Sequence, residues 1–340
     1  MRSLRPDFSR WLLGIAAVAA LMALPGQIAR ATPVTPGWPG TSIYYHDSVS
    51  AGGNVALARQ FEIRTVPVNL TASFTGNVNA SVNLDLFAAT YTFATPVLGA
   101  QASFSLLSVY GANSTSLAGT LAGTLAGPLG GTVPFSRSDG ITSTIVAFGD
   151  VLPMFQLKWN AGVNNFMTYI TGDMPAGAYD SARLANIGIG HWAVDVGGGY
   201  TYFDPTTGHE ASAVLGFTYN FINPSTQYQN GVDMHLDWGV SQFLTKQVQV
   251  GLVGYLYQEI GCDSGSGDRV GCFQSRTVGI GPQFGYIFPI GDKLQGYFNI
   301  KAYGEFDAAN RPSGWNLWLT FNLSPAAATP PTSSRPMFTK

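Results

Sequence analysis

Residues 191–240 alternate between apolar and polar side chains with a period of two, and this alternation restricts the fold more than any other feature of the chain. The first run places Trp192, Val194 and Val196 on one face and His191 and Asp195 on the other. Two further runs, preceded by the turn sequences DPTTG and NPSTQY, repeat the pattern. Strands in soluble domains average about five or six residues, whereas long strands with one apolar face are typical of membrane-spanning barrels. The stretch therefore predicts three consecutive strands of a transmembrane β-barrel.

The overall composition agrees with an outer surface that faces lipid. Only 11% of the 340 residues are charged, whereas soluble domains average about a quarter. After the N-terminus, no stretch offers about 18 uninterrupted apolar residues, so membrane-spanning helices are not supported. The formal net charge of −2 gives no reason to expect a nucleic-acid partner.

The N-terminus has the pattern of an export signal. Three arginines precede or begin a short apolar run, WLLGIAAVAALMAL, and Ala29-Arg30-Ala31 supplies the small residues that signal peptidase reads. An uncleaved anchor is the alternative. The predicted divisions are a signal peptide (1–31), a segment that lies in the periplasm or plugs the lumen (32–62), the transmembrane barrel (63–324) and a Pro/Thr/Ala-rich tail (325–340).

Twelve alternating segments are predicted as strands, so the fold class is all-β, a transmembrane antiparallel β-barrel of about twelve strands. They lie at residues 64–75, 80–93, 97–111, 140–160, 163–172, 190–203, 209–222, 229–242, 246–260, 273–288, 293–306 and 314–323. Barrels of this type have short periplasmic turns and longer outer loops. Following the chain from the periplasm places the short connections inside and the loops at 112–139, 173–189, 261–272 and 307–313 outside. The turn near Gly76-Asn77 is a short exception.

Two of the outer loops have distinctive sequences. Residues 116–132, SLAGTLAGTLAGPLGGT, form a small uncharged tandem repeat, which indicates either a flexible loop or an apolar gating loop. The only cysteines, Cys262 and Cys272, flank a polar loop, and in an exported protein such a close pair predicts a disulfide. A metal site at Asp263 and Asp268 is a weaker alternative.

Ionisable residues gather on the predicted inward faces. Three consecutive strands contribute His191, Asp195, Glu210, Asp233, His235 and Asp237, and the inward face of a later strand adds Glu305. Three cations, Lys158, Arg276 and Lys301, are expected to face this acidic wall across the lumen. Pairing of these charges would relieve the cost of burying them, and a polar conduction path would use the same residues as charge rings. The two interpretations are compatible.

Catalytic motifs are not evident in the sequence. It contains no G-x-S-x-G elbow, phosphate loop, H-E-x-x-H or Cys/His metal spacing. A membrane-embedded lipid hydrolase would need a Ser/His pair at the membrane boundary, but His191 and His235 are predicted to point inward. We therefore predict that the protein is not an enzyme and has no catalytic residue, metal site or cofactor.

Several stretches, taken in order, resemble one family of outer-membrane proteins. They are PGTSIYYHDSVSAGGN, FGDVLPMFQLKW, GDMPAGAYDSARLANIGIGHW, YTYFDPTTGHEASAVLGFTYNFINPSTQYQNGVDMHLDWGVSQF, VGLVGYLYQEIGCDSG, GIGPQFGYIFP and GWNLWLTFNL. The chain is similar along most of its mature length to the meta-pathway of phenol degradation family of transporters. The resemblance implies a place in the bacterial outer membrane and uptake of aromatic or other hydrophobic compounds. It supplies no catalytic residue.

The leading expectation is therefore a porin-like outer-membrane channel or transporter for small organic solutes. The alternatives are a closed structural or ligand-binding barrel without transport, and an outer-membrane lipid-modifying enzyme. Expected partners are outer-membrane lipid, a small hydrophobic or aromatic solute, and the outer-membrane assembly machinery, because the apolar, aromatic last strand resembles the signal that this machinery reads.

Overall fold

Twelve β-strands form a closed antiparallel barrel in the computed structural model, which describes residues 48–65, 68–126, 131–268, 271–272 and 274–325. Each strand pairs with its neighbours in sequence, and β1 closes the barrel against β12. The strands are β1 (Ser48–Thr65), β2 (Val68–Thr92), β3 (Gln101–Ala126), β4 (Thr132–Ala161), β5 (Asn164–Asp173), β6 (Ala193–Phe203), β7 (His209–Asn220), β8 (Asp233–Phe243), β9 (Val248–Glu259), β10 (Arg276–Ile290), β11 (Leu294–Ala309) and β12 (Ser313–Pro325).

The predicted fold class is confirmed, and the last eight strands lie where the alternation placed them. The predicted bounds of the first strands are wrong. Most of the two segments predicted at 64–75 and 80–93 lies in one continuous strand, β2, with Gly76 and Asn77 inside it, whereas residues 64–65 end β1. The missing strand is β1, so the prediction that the barrel begins at residue 63 is wrong. The proposed signal peptide, residues 32–47 and the tail beyond Pro325 lie outside the described residues.

The two faces of the later strands follow the predicted register. In β12, Trp315 and Phe321 point outward with exposures of 57% and 49%, whereas Asn316, Thr320 and Asn322 point inward and are buried. Polar groups inside and aromatic groups outside are the reverse of a soluble domain and suit a barrel surrounded by lipid. Among the described residues, no helix is long and apolar enough to cross a membrane.

The connections sort onto two ends of the barrel. One end, called here the short-turn end, has the connections 93–100, 162–163, 204–208, 244–247 and 291–293. The other, called the loop end, has the longer connections 174–192, 221–232 and 260–275 together with the shorter 310–312. Short turns are expected to face the periplasm in this class of barrel.

Side chains fill the lumen near the short-turn end. Ten buried apolar or aromatic residues form one cluster: Ala88, Leu107, Met154, Met167, Tyr169, Phe203, Val214, Phe243, Ile287 and Tyr297. Polar side chains such as Gln156, Gln249 and Asn322 are also at most 2% exposed there. Because these groups pack side by side, this half of the barrel is a core rather than an open pore.

The first four strands extend far beyond the rest of the barrel at the loop end. Continuous β4–β5 pairing runs from Met154 to Ala161, and β1 pairs with β12 only as far as Asn54. Beyond these points, a four-stranded extension, called here the projecting sheet, continues for about 50 Å at roughly 3.3 Å per residue. It consists of residues 55–65, 68–84, 111–126 and 132–147. The prediction of a loop over 112–139 is therefore wrong, because the repeat lies largely in β3 and pairs on both sides.

Candidate functional site

A histidine held between two aspartates forms the centre of the polar lumen wall. His235 Nε2 lies 2.8 Å from Asp195 Oδ2, and its Nδ1 lies 3.5 Å from Asp237 Oδ2. Thr218 also donates to Asp195 Oδ2 at 2.5 Å, and the Tyr169 hydroxyl lies 3.4 Å from His235 Nε2. These residues meet because β6, β7 and β8 are adjacent and period-two alternation turns all of them inward. The structure therefore brings Asp195, His235 and Asp237 together on the lumen wall.

Two further carboxylates in the wall are held by tyrosines. Asp233 accepts hydrogen bonds from Asn220 Nδ2 at 2.8 Å and from the Tyr257 hydroxyl at 2.6 Å. Glu305 accepts a hydrogen bond from the Tyr255 hydroxyl at 2.5 Å. Neutral donors can satisfy a buried carboxylate without neutralising its charge, so the wall keeps an acidic character.

Lys301 supplies positive charge to this wall from β11. It is buried and interacts electrostatically with Asp237 and Glu210. Glu210 also accepts a hydrogen bond from Gln249 Nε2 at 2.6 Å, and Gln249 Oε1 accepts one from the Tyr297 hydroxyl at 3.2 Å. Lys301 therefore faces the acidic groups, as predicted, and this network joins the wall to the filled half of the lumen.

The other predicted lumen residues have mixed outcomes. Lys158 is buried on the inward face of β4, and His191 is buried just before β6, where its Nδ1 lies 3.1 Å from the Trp192 carbonyl oxygen. The prediction for Arg276 is wrong. Its side chain is 42% exposed, lies on the outward-facing register of β10 and pairs with Asp307 at 2.8 Å. Arg276 is the first residue of β10, at the loop end of the barrel, so its charge is paired with Asp307 outside the lumen.

A cavity of about 470 Å³ lies between the histidine cluster and the loop end. Its lining combines hydrogen-bonding groups with large aromatic surfaces, and includes Asp195, His235, Tyr255, Tyr257, Tyr303 and Trp318. Thr277 lies in the same lining, is fully buried, and its hydroxyl has no hydrogen-bond partner among the described residues. A mixed lining of this size is typical of small-molecule sites, which are usually about 300–1,000 Å³.

The connection 174–192 folds back over the mouth of the barrel. Asp150, which is buried, accepts hydrogen bonds from the backbone N–H groups of Gly177 at 2.8 Å and Ile189 at 2.7 Å. A register shift in the β3–β4 ladder lies beside Asp150, and bulges of this kind redirect side chains. Ile189 lines the cavity, so the connection forms part of its outer wall.

The connections 221–232 and 260–275 are joined to each other at the loop end. Gln229 and Ser264 form a backbone bridge, and the Tyr228 hydroxyl donates to Asp263 Oδ2. Burial and this hydrogen bond raise the pKa of Tyr228 well above its usual value, so the phenol stays protonated and continues to donate. The predicted Cys262–Cys272 disulfide is confirmed, with Cα atoms 4.5 Å apart. The mouth is therefore covered by braced loops.

Sequence reasoning missed several residues that shape the cavity. The sequence pattern could have identified Tyr255 and Tyr257, since both occupy inward positions of the alternation in β9. The pattern could not have identified Asp150, because the register shift changes which positions of β4 point inward. Arg311 is a further cation at the cavity that the predicted set does not include, and its guanidinium lies 4.6 Å from the centre of the Tyr257 ring.

The fold and the lumen define a membrane-spanning antiparallel β-barrel with a solute-sized cavity near one mouth. The chain belongs to the family described as "Putative MetA-pathway of phenol degradation", whose model matches residues 50–321. It is also similar to the crystal structure of an outer membrane channel from Pseudomonas putida F1, with a TM-score of 0.52 over 88% of this chain and 99% of that one. The identity is 11%, so this likeness concerns the fold. No curated protein matches the chain.

Proposed function

We propose that the protein is a bacterial outer-membrane channel or transporter that takes up small organic, aromatic or hydrophobic compounds. The observation that carries this proposal is the cavity of about 470 Å³ in the lumen. An apolar cavity of roughly 150 Å³ is enough to hold benzene. The lumen therefore has room for a substituted aromatic ring. The family description and the barrel fold support the same class of function.

The lining favours uncharged solutes that carry a ring and a hydroxyl. Tyr255, Tyr257 and Tyr303 present aromatic surfaces, against which a ring can pack edge to face or offset. Thr277 and the His235 cluster supply hydrogen-bonding groups. The excess of carboxylates in the wall disfavours anionic solutes, since like charges in a narrow lumen repel.

Passage to the periplasm requires side chains to move. The fully buried groups at the short-turn end, Gln156 and Gln249 among them, close the direct route below the cavity. The proposed transport is therefore a gated, solute-selective step. A wide aqueous porin would have an open channel at this level.

Reconstitution in a planar bilayer, combined with solute flux into vesicles, tests the proposal. We expect flux of a neutral aromatic such as phenol with little steady ion conductance. A protein that gives neither flux nor conductance would favour the closed structural or ligand-binding barrel, for which the filled half of the lumen is the specific supporting observation.

A lipid-modifying enzyme is the least supported alternative. His191 and His235 are both on the inward side of the barrel, and His235 is held by Asp195. Activity on purified lipid that disappears in His191→Ala or His235→Ala would support that alternative against the channel.

A further inference from the structure

The strand β2 exchanges the polarity of its two faces where it leaves the barrel. Within the barrel, Phe87 and Tyr91 point outward with exposures of 49% and 55%, while Thr90 is buried inside. Nearer the loop end, the outward positions are Asn79, Ser81, Asn83 and Asp85. The inward positions on the same stretch are Val78, Ala80, Val82, Leu84 and Leu86, all partly buried. A membrane strand has the opposite arrangement, so this part of β2 lies outside the bilayer.

The neighbouring strands of the projecting sheet repeat this exchange. Leu117 and Leu121 of β3 share the inward face with Ile141 of β4, because Leu117 pairs with Ile141 and side chains repeat every second residue. The opposite face has hydroxyl groups, among them Thr120 and Ser138, whose oxygens are 2.8 Å apart. The projecting sheet thus turns a hydroxyl-rich face outward to water. Its face toward the barrel axis is apolar along β2, whereas on β4 the apolar residues of that face are interrupted by Arg137 and Asp139.

The apolar face remains accessible and is continuous with the cavity. Val133 and Ile141 are 64% and 60% exposed. At the base of the sheet, Leu86 and Leu152 pack against the buried cluster of the lumen. Leu152 also lines the cavity. An apolar track therefore leads along the inward positions of β2, from Val78 to Leu86, and on to Leu152 at the proposed solute site.

The connection 174–192 contacts this track near its base. Gly149 of β4 lies close to Ile187 of this connection and to Val109 of β3. A Cβ atom added to Gly149 would lie 2.8 Å from Ile187 Cγ2 and 3.1 Å from Val109 Cβ. The Asn113 amide donates to the Asn186 carbonyl oxygen at 2.8 Å. The loop thus covers the β3–β4 side of the base, whereas Val82 and Leu84 on β2 remain partly exposed.

We propose that the inward face of the projecting sheet is a loading surface, on which uncharged apolar or aromatic molecules adsorb before they enter the cavity. This inference rests on the proposed uptake function and adds the route of entry. Two observations favour a solute over a membrane lipid or a second copy of the chain. The face is turned toward the barrel axis, and its base reaches the cavity. Contiguous exposed apolar surface of this kind marks a binding site.

Paired variants on opposite faces of β2 test the loading surface. Val82→Asn/Leu84→Asn makes the inward face polar, and Ser81→Asn/Asn83→Gln is the matched control on the outward face. Initial uptake of toluene and of phenol is measured in cells, with the amount of folded protein checked by heat-modifiable mobility. We expect the inward pair to raise the apparent KM for toluene about tenfold, with much less effect on phenol, and the control to behave as wild type.

Photolabelling locates the occupant directly and does not depend on transport. Wild-type protein in lipid nanodiscs is irradiated with a small apolar aryl diazirine, and labelled peptides are identified by mass spectrometry. Labelling of residues 78–86 and 117–121 that excess toluene suppresses supports the proposal. Three outcomes would each overturn it. They are an unchanged toluene KM in the inward pair, labelling of this face by acyl-chain diazirine lipids alone, and a dimer whose interface buries this face. If wild type transports neither solute, the uptake function fails, while the labelling pattern still decides whether the surface binds apolar molecules.

Discussion

Replacing His235 with leucine should destabilise the barrel strongly, because the imidazole separates two buried carboxylates. The side chains of Asp195 and Asp237 are 8% and 5% exposed, and that of His235 is 15% exposed. Removing one partner from a buried ion pair typically costs about 3–5 kcal/mol, since the remaining charge stays away from water. In His235→Leu both carboxylates lose the imidazole between them, while Asp195 keeps the hydrogen bond from Thr218 and Asp237 keeps its interaction with Lys301. We therefore expect a loss of about 3–5 kcal/mol in the free energy of unfolding.

The double variant Asp195→Asn/His235→Leu provides the internal control. It removes one of the two neighbouring carboxylate charges, so it should be more stable than His235→Leu by about 1 kcal/mol or more, although it carries an additional substitution. Stability is measured by urea unfolding of protein folded into lipid vesicles, with tryptophan fluorescence as the signal. Wild-type stability in His235→Leu, or a double variant less stable than the single one, would refute the role assigned to this cluster.

Three further predictions concern the loops and the outer surface. Asp150→Ala should loosen the connection 174–192, because two partly buried N–H groups, of Gly177 and Ile189, lose their acceptor, at up to about 1–3 kcal/mol each. Faster amide hydrogen exchange limited to this connection would show it. Asp292→Ala, in an exposed turn at the short-turn end, is the control, and equal exchange in Asp150→Ala and wild type would contradict the prediction. Cys262→Ser/Cys272→Ser should lower the free energy of unfolding by about 2–3 kcal/mol relative to the oxidised protein, because the disulfide restricts the unfolded chain. The reduced wild-type protein is the reference and should behave like the variant. A variant as stable as the oxidised protein would contradict a stabilising role of the disulfide. Phe217→Arg, on the outward face of β7, should cost up to about 2–4 kcal/mol, which is the cost of an arginine that faces lipid at the bilayer midplane. Ser81→Arg on the projecting sheet should cost close to nothing. Equal costs would show that both sites face the same medium.

The alternation of side chains was enough to predict the later strands and the grouping of their charges. In β6, β7 and β8, each run of alternating residues is bounded by turn sequences, and nothing in the structure interrupts the period. Asp195, His235 and Asp237 therefore meet where the sequence placed them. The disulfide followed from the same sequence, since Cys262 and Cys272 enclose one short connection.

The first strands could not be predicted in the same way, because local signals conflict with long-range pairing there. Gly76-Asn77 has turn-forming residues, yet it continues β2 because Gly76 pairs with Leu57 on one side and Gly119 on the other. The glycine-rich repeat was interpreted as a loop for a similar reason. Leu117 and Leu121 of the repeat do share one face, but that face is turned toward the barrel axis, so the rule that apolar residues face outward in a membrane strand does not identify this part of β3. Backbone pairing over two neighbouring strands decides both cases.

Uptake through variants of one cavity residue tests the central claim that the lumen cavity is the solute path. Thr218 lines the cavity and is partly buried. Thr218→Phe fills space, whereas Thr218→Val keeps the volume. Both variants lose the hydrogen bond from Thr218 to Asp195, so Thr218→Val is the matched control for the added volume. The measurement is the initial rate of phenol uptake by cells that lack the wild-type protein and produce each variant in equal folded amount. The account predicts that Thr218→Phe takes up phenol at least fivefold more slowly than Thr218→Val. Equal uptake by both variants, or by cells without the protein, would contradict it.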